Sequence, residues 1–146
     1  MKIALAADHA GFAFKEKLLA ELRRAGHEVT DFGTSGTESC DYPDFAIPAV
    51  MSVAEGKHER AILACTNGIG MAMVANRVPG IRGALVYNAR SAAMTRQHHD
   101  SNVLCLGAGE FPAETLLEWV RTWLSTEFEG GRHARRIGKV TALERK

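Results

Sequence analysis

Short runs of consecutive apolar residues alternate along this chain with longer stretches in which apolar positions recur at helical spacing. Lys2 to Ala7 is apolar after its first residue, as a strand buried on both faces is, and it ends at Asp8-His9-Ala10-Gly11. Phe14, Leu18, Leu22 and Ala25 then fall on one side of a helix that Gly26 stops. His27 to Phe32 reads as a second strand, followed by a turn-rich stretch from Gly33 to Pro43. Asp44 is the expected cap of a second helix with Ile47, Val50, Val53 and Ala54 inward, closed by Gly56. Ala61 to Cys65 is a third strand, Thr66 to Gly70 a turn of small and polar residues, and Met71 to Arg77 a helix stopped by Pro79-Gly80. Gly83 to Tyr87 predicts strand four, with Asn88 capping a helix over Ala89 to His99, and Asn102 to Leu106 predicts strand five. Pro112 suits the first turn of a long helix whose seam is Leu116, Trp119, Val120, Trp123 and Leu124.

Strands that alternate with helices imply a parallel sheet covered on both faces, with right-handed crossovers. The expected architecture is a single three-layer, doubly wound (Rossmann-like) α/β domain over 1–146, with a five-stranded parallel sheet and a C-terminal helical tail. The tail, from about 127 to 146, departs from the alternation. Gly130-Gly131 breaks the chain, and Ile137, Val140 and Leu143 then form the apolar side of a short helix suited to docking on a partner. Arg132 and Arg136, at i and i+4, share a face of that helix and can grip one anion together. The plainer reading of such a basic stretch is a solvated terminal face.

A chain of 146 residues with 46% apolar content can bury one core, which excludes disorder. A formal net charge of +1 supplies no field for nucleic acid or an anionic membrane, so neither is an expected partner. No apolar stretch is long enough to span a bilayer, and Met1 leads straight into a strand without a leader pattern. The three cysteines, 40, 65 and 105, fit no disulfide framework or zinc ribbon. These features point to a soluble cytoplasmic protein with reduced thiols. The loop Thr66 to Gly70 lacks the P-loop lysine, and no dinucleotide fingerprint follows strand one, so no nucleotide cofactor is expected. Adjacent His98 and His99 diverge by ~100° on a helix, so no metal is expected either.

Ligands of open α/β sheets sit at the carboxyl ends of the strands. The groups expected to converge there are Asp8 and His9 after strand one, Cys65 and its loop after strand three, and His98 and His99 closing the helix after strand four. Cys65 borders a helix start, where the thiolate is favoured as base or nucleophile, although free cysteines are equally often small core hydrophobes. Cys105, inside strand five, is read as such filler, and Cys40 lies in a polar loop. Asp8 either caps the first helix or accepts hydrogen bonds from sugar hydroxyls, while His9 can donate to a phosphate or move a proton.

With these residues on the page, the chain resembles the type B ribose-5-phosphate isomerases, the family that also holds the galactose-6-phosphate isomerase subunits. The likeness runs through Ala7-Asp8-His9-Ala10-Gly11-Phe12, Asp31-Phe32-Gly33-Thr34, Asp41-Tyr42-Pro43, Cys65 to Gly70, Ala75-Asn76-Arg77 and Gly80-Ile81-Arg82. It continues through Arg96-Gln97-His98, Asn102-Val103-Leu104 and Glu129-Gly130-Gly131-Arg132-His133 with Arg135-Arg136. The resemblance implies reversible isomerisation of ribose 5-phosphate and ribulose 5-phosphate through a cis-enediolate, without metal or nucleotide. It implies that Cys65 is the base between C2 and C1, and that His98 assists ring opening. Asp8 would hold sugar hydroxyls, the backbone of Thr66, Asn67, Gly68, Ile69 and Gly70 the enediolate oxygens, and His9, Arg132 and Arg136 the phosphate. It also implies a homodimer or dimer of dimers with shared sites.

Four positions depart from the family pattern. Cys65-Thr66-Asn67-Gly68 replaces Cys-Gly-Thr/Ser-Gly, so Thr66 restricts a backbone position that glycine leaves free. Asn67 there replaces a hydroxyl that can relay a proton with an amide that donates to an oxyanion. His99 stands beside the sugar where asparagine is common, and Gly109 where a basic residue is common. A tetrose or hexose phosphate is therefore the rival substrate, and a non-catalytic sugar-phosphate-binding domain the rival class.

Overall fold

From Ile3 to Ala7 and from Val103 to Gly107 every residue is buried, which requires cover on both faces of the sheet. The computed structural model describes residues 1–144. In chain order the elements are β1 (Lys2–Ala7), α1 (Phe12–Arg24), β2 (Glu28–Asp31), α2 (Tyr42–Ala54), β3 (Arg60–Cys65) and α3 (Ile69–Ala75). They continue with β4 (Gly83–Leu85), α4 (Ala89–His99), β5 (Val103–Gly107), α5 (Ala113–Ser125) and α6 (Arg132–Thr141). All strand pairs are parallel, in the order β2-β1-β3-β5-β4, so β3 is central. Ala7 pairs with Ala64 and Cys65 with Gly107, which places the ends of β1, β3 and β5 side by side. The doubly wound five-stranded sheet expected from the sequence is the fold observed.

One face of the sheet, through Ile3, Leu5, Ile62, Leu104 and Leu106, packs on Phe14, Leu18 and Leu22 of α1 and on Leu116, Val120 and Trp123 of α5. Trp123 is fully buried, and its indole Nε1 donates to Ser101 Oγ at 2.9 Å. The other face is built of smaller residues, Ala4, Ala6, Ala61, Leu63, Cys65 and Cys105, and carries α2 and α3. Burial pushes the Cys105 thiol well up, in keeping with its reading as filler.

Helix α3 starts two residues earlier than expected, at Ile69, and ends at Ala75, and larger differences fall at α2, α1 and β4. Asp41, not Asp44, caps α2, because Pro43 fits its first turn and starts the helix earlier. Its buried stripe is Ala46, Ala49, Val50 and Val53, with Ile47 half-exposed and Ala54 on the outer side, because small alanines suit the alanine-rich sheet face. Ala25 is the exposed C-cap of α1 rather than part of its buried face. Strand β4 is shorter than predicted, and Asn76 stands in for a further strand at its edge. The Asn76 Nδ2 donates to Gly83 O at 3.0 Å, and Gly83 N donates to Asn76 Oδ1 at 2.9 Å.

Lys15, which no periodicity singles out, is almost fully buried on α1, with Nζ 2.7 Å from Asp31 Oδ2 and 3.0 Å from Glu16 Oε1. Asp31 Oδ1 accepts from Gly33 N at 2.9 Å, Gly33 O accepts from Ala7 N at 2.8 Å, and Ala7 O accepts from Thr34 N at 2.8 Å. The lysine thus fixes the segment against which β1 ends, immediately before Asp8. Asp31→Ala leaves the buried ammonium with the exposed Glu16 as its one carboxylate and is expected to cost about 2–3 kcal/mol, whereas Lys15→Met, which leaves only carboxylates open to solvent, costs less than about 1 kcal/mol. Urea unfolding of the two variants checks this, and equal losses would contradict it.

Candidate active site

Cys65 is the last residue of the central strand and is 5% exposed, with Sγ accepting a hydrogen bond from Gly68 N at 3.2 Å. The turn that brings this N–H back to the sulfur requires glycine twice over. Gly68 has φ +78°, and a Cβ there would lie 2.6 Å from Leu85 Cδ1 and 2.9 Å from Leu106 C. Asn67 Oδ1 accepts from Ile69 N at 3.0 Å, closing a local turn at the start of α3. Two amides of the run Thr66 to Gly70 are therefore already engaged, Gly68 on sulfur and Ile69 on Asn67. This narrows the expectation that the whole run meets a substrate oxyanion. Gly70 rests on the ring of Tyr42, where a Cβ would come within 2.6 Å.

Asp8 and His9 stand at the neighbouring strand end. A Cβ on Gly11 would lie 2.6 Å from Ala64 O, so glycine lets the start of α1 close onto β3 beside Cys65. Asp8 is buried, and its Oδ1 accepts from Ala10 N at 3.0 Å and Gly11 N at 3.1 Å. Asp8 thus closes the turn ahead of α1 rather than capping the helix, whose N-cap is Gly11, and Oδ2 takes no hydrogen bond among the described residues. His9 Nδ1 accepts from Cys40 N at 3.2 Å, which leaves the ring proton on Nε2.

His98 and His99 do not join this group, contrary to the convergence expected. Helix α4 starts at Asn88, where a capping box with Ser91 fixes its first turn, and it runs back antiparallel to the strands. Its end is tied to residues that precede strands: Arg96 donates to Ser101 O at 2.7 Å, and Asp100 O accepts from Arg82 Nε at 2.8 Å. The two histidines consequently lie at the amino ends of the sheet, about one strand length from Cys65, roughly 16–20 Å at ~3.3 Å per residue. Helix α6 docks there. His133, between the two predicted arginines, is buried with its ring stacked on His98 at 4.1 Å between centroids and 9° between planes. Arg132 and Arg136 line a cavity of 320 Å³ with His98, His99 and Ile137.

One chain therefore carries two separate clusters. Asp8, His9, Cys65 and Thr66 to Gly70 occupy the carboxyl ends; His98, His99, Arg132 and Arg136 occupy the amino ends. Tyr42, His133 and the loop Gly107 to Gly109 were not given roles by sequence reasoning. The signal for the last was two glycines flanking Ala108 directly after a strand. For His133 it was an apolar-facing position one residue beyond Arg132.

Donor atoms of His98, Glu129 and His133 lie within 4.8 Å of one another. An imidazole binds an ion in its own ring plane, and two nearly parallel planes a ring thickness apart share no such point. The stack does not suit a single ion.

Burial lowers the titration of both His99 and His133, and His98 adds to each; Arg132 lowers His133 further. Folding thus favours the neutral rings. Their stabilisation is complete above the ordinary imidazole range near 6.5 and is lost as pH falls through the lowered values. Thermal unfolding between pH 7.5 and pH 5, at roughly half-unit steps, should show wild type losing stability more steeply than His133→Gln. Parallel slopes would contradict this.

Comparison with known proteins places the chain in a family. A family model described as Ribose/Galactose Isomerase matches residues 3–140. Ribose-5-phosphate isomerase B of Escherichia coli is 39% identical, with 99% of this chain and 97% of that one aligned. D-erythrulose-4-phosphate isomerase of Pectobacterium atrosepticum is 38% identical over 99% of this chain and 95% of its own. Among solved structures, that of Clostridium thermocellum ribose-5-phosphate isomerase B has a TM-score of 0.96 at 44% identity, covering 98% of this chain and 97% of that chain. The Mycoplasma genitalium ribose-5-phosphate isomerase B with bound ribulose-5-phosphate has a TM-score of 0.93 at 36% identity, covering 97% and 94%. With a fold, a length and an ordered set of residues in common, this chain belongs to the ribose/galactose isomerase family.

Proposed function

We propose that the protein interconverts ribose 5-phosphate and ribulose 5-phosphate through a cis-enediolate, at a site assembled from two copies of the chain. The observation that carries this reading is Cys65 Sγ at the carboxyl end of the central strand, held by the Gly68 N–H at 3.2 Å. That N–H fixes the sulfur where the strand ends, in position to take a proton α to a carbonyl. The thiolate takes the C2 proton of the open-chain aldose while the carbonyl electrons move onto O1. The same thiol then returns the proton to C1 while the hydrogen on O2 passes to O1, leaving the ketone at C2 and a hydroxyl at C1. The N–H groups of the Thr66 to Gly70 loop still unengaged, with the Asn67 amide, meet the charge on the enediolate oxygens. Asp8, through its unengaged carboxylate oxygen, and His9, through Nε2–H, bind hydroxyl and phosphate oxygens.

His98, His99, Arg132 and Arg136 complete the site from the second copy, because one chain holds them a strand length away. His98 assists ring opening, and the two guanidinium groups clamp the phosphate, so that binding energy far from the reacting carbons positions the sugar. A homodimer in the cytoplasm, alone or paired, follows from this reading. The apolar face of α2 and α3 beside the Cys65 loop supports it: Ile47, Met51, Ile69 and Met73 are 48%, 38%, 50% and 64% exposed. No helix among the described residues is long and apolar enough to cross a membrane.

A second reading keeps the chemistry and changes the sugar. Asn67, His99 and Gly109 differ from the common family residues, and one relative carries the name of an erythrulose phosphate isomerase. Steady-state kinetics on four-, five- and six-carbon sugar phosphates decides: the ribose 5-phosphate reading expects the highest kcat/KM on the five-carbon substrate, and a tetrose or hexose phosphate ahead of it would overturn that choice. Cys65→Ala should lower exchange of the C2 proton with solvent deuterium by at least ~10³-fold. Exchange surviving in that variant removes Cys65 from the role of base, and absence of exchange in wild type leaves a binding domain. Met73→Glu should shift sedimentation at micromolar concentration from dimer to monomer and lose activity with it; an active monomer would contradict a shared site.

A further inference from the structure

The loop after β5 clasps the loop after β3. The Ala108 N–H donates to Cys65 O at 2.8 Å, and the Gly109 N–H donates to Thr66 O at 2.9 Å. Both flanking glycines are in tight contact with the catalytic loop. A Cβ on Gly107 would stand 3.0 Å from the Asn67 backbone, and one on Gly109 would stand 3.0 Å from both Thr66 Cγ2 and Thr66 O. The Thr66 methyl therefore fills the space that a side chain at 109 would take. Neither partner can yield easily. A β-branched side chain has few χ1 options, and moving the Thr66 carbonyl breaks the bond to Gly109.

We infer that Thr66 and Gly109 are a matched pair that holds the Cys65–Gly68 loop in the register where the Gly68 N–H reaches Cys65 Sγ. Gly109 is thus a positioning residue for the isomerisation, acting through Thr66. The inference rests on the reading of Cys65 as the base. Its physical content is that a displacement of a few tenths of an ångström at Thr66 passes along two covalently adjacent residues to the sulfur's hydrogen bond. Errors of this kind cost turnover more than binding, since misplacement by 1 Å is worth up to ~10²-fold.

Three variants test it. Gly109→Ala should lower kcat about 10-fold with KM changed less than about twofold, and in a Thr66→Ser background, which lacks Cγ2, the same change should cost about threefold or less. Thr66→Val keeps the methyl and Thr66→Ser removes it, so the Ser variant should lose more kcat than the Val variant. The Val and Ser comparison decides the matter even if Gly109→Ala fails to fold. Independently of turnover, the Gly68 amide proton should shift in the NMR spectrum of Thr66→Ser and hold its position in Thr66→Val. Equal penalties for Gly109→Ala in both backgrounds, or an unmoved Gly68 amide, would overturn the pairing. If wild type turns over no sugar phosphate, the proposed function fails, while the amide shift still judges the contact.

Discussion

The polarity of a parallel sheet governs where chemistry can collect in this molecule. Each crossover helix must return the chain to the amino ends before the next strand begins. Residues that directly follow a strand, such as Asp8, His9 and the Cys65 loop, are thereby gathered at one end of the sheet. Residues that close a helix, such as His98 and His99, are delivered to the other. Helix α6, stacked on His98 through His133, inherits that address along with its two arginines. Two clusters at opposite ends of a single chain follow from topology alone. In the proposed function each is a half-site, and symmetric pairing of two copies makes two complete sites.

Within the first half-site, chemistry depends on close approach. Glycines at 11, 68, 70 and 107 each admit a neighbour to a distance that a Cβ would forbid. The result is a short loop wedged between α2 on one side and the end of β5 on the other, its sulfur supplied with an N–H. Rigidity of this kind suits an enzyme that must stabilise charge at a fixed point.

Much of the architecture was legible in the sequence because its strands read as unbroken apolar runs and its helices as regular stripes. The cap of α4 at Asn88 and the strand limits around Cys65 were visible in the same way. Errors arose where a local rule competed with packing. The proline at 43 draws the start of α2 forward, the sheet face takes alanines of α2 in place of Ile47, and Lys15 is buried through a pairing with Asp31 that local sequence does not reveal. For the site, residue types were readable but their placement was not. Adjacency to a strand end was taken for granted at His98, where helix direction decides, and His133 was passed over because its burial depends on the fold of the tail.

Complementation between two inactive variants tests the assembled site most directly. Cys65→Ala spoils only the first half-site and His98→Gln only the second, so a mixed dimer retains one intact pairing of halves. Random reassortment of equal amounts should restore about a quarter of wild-type activity on ribose 5-phosphate. If the mixture stays as inactive as its components after reassortment is verified by mass, each site is confined to a single chain and the account is wrong.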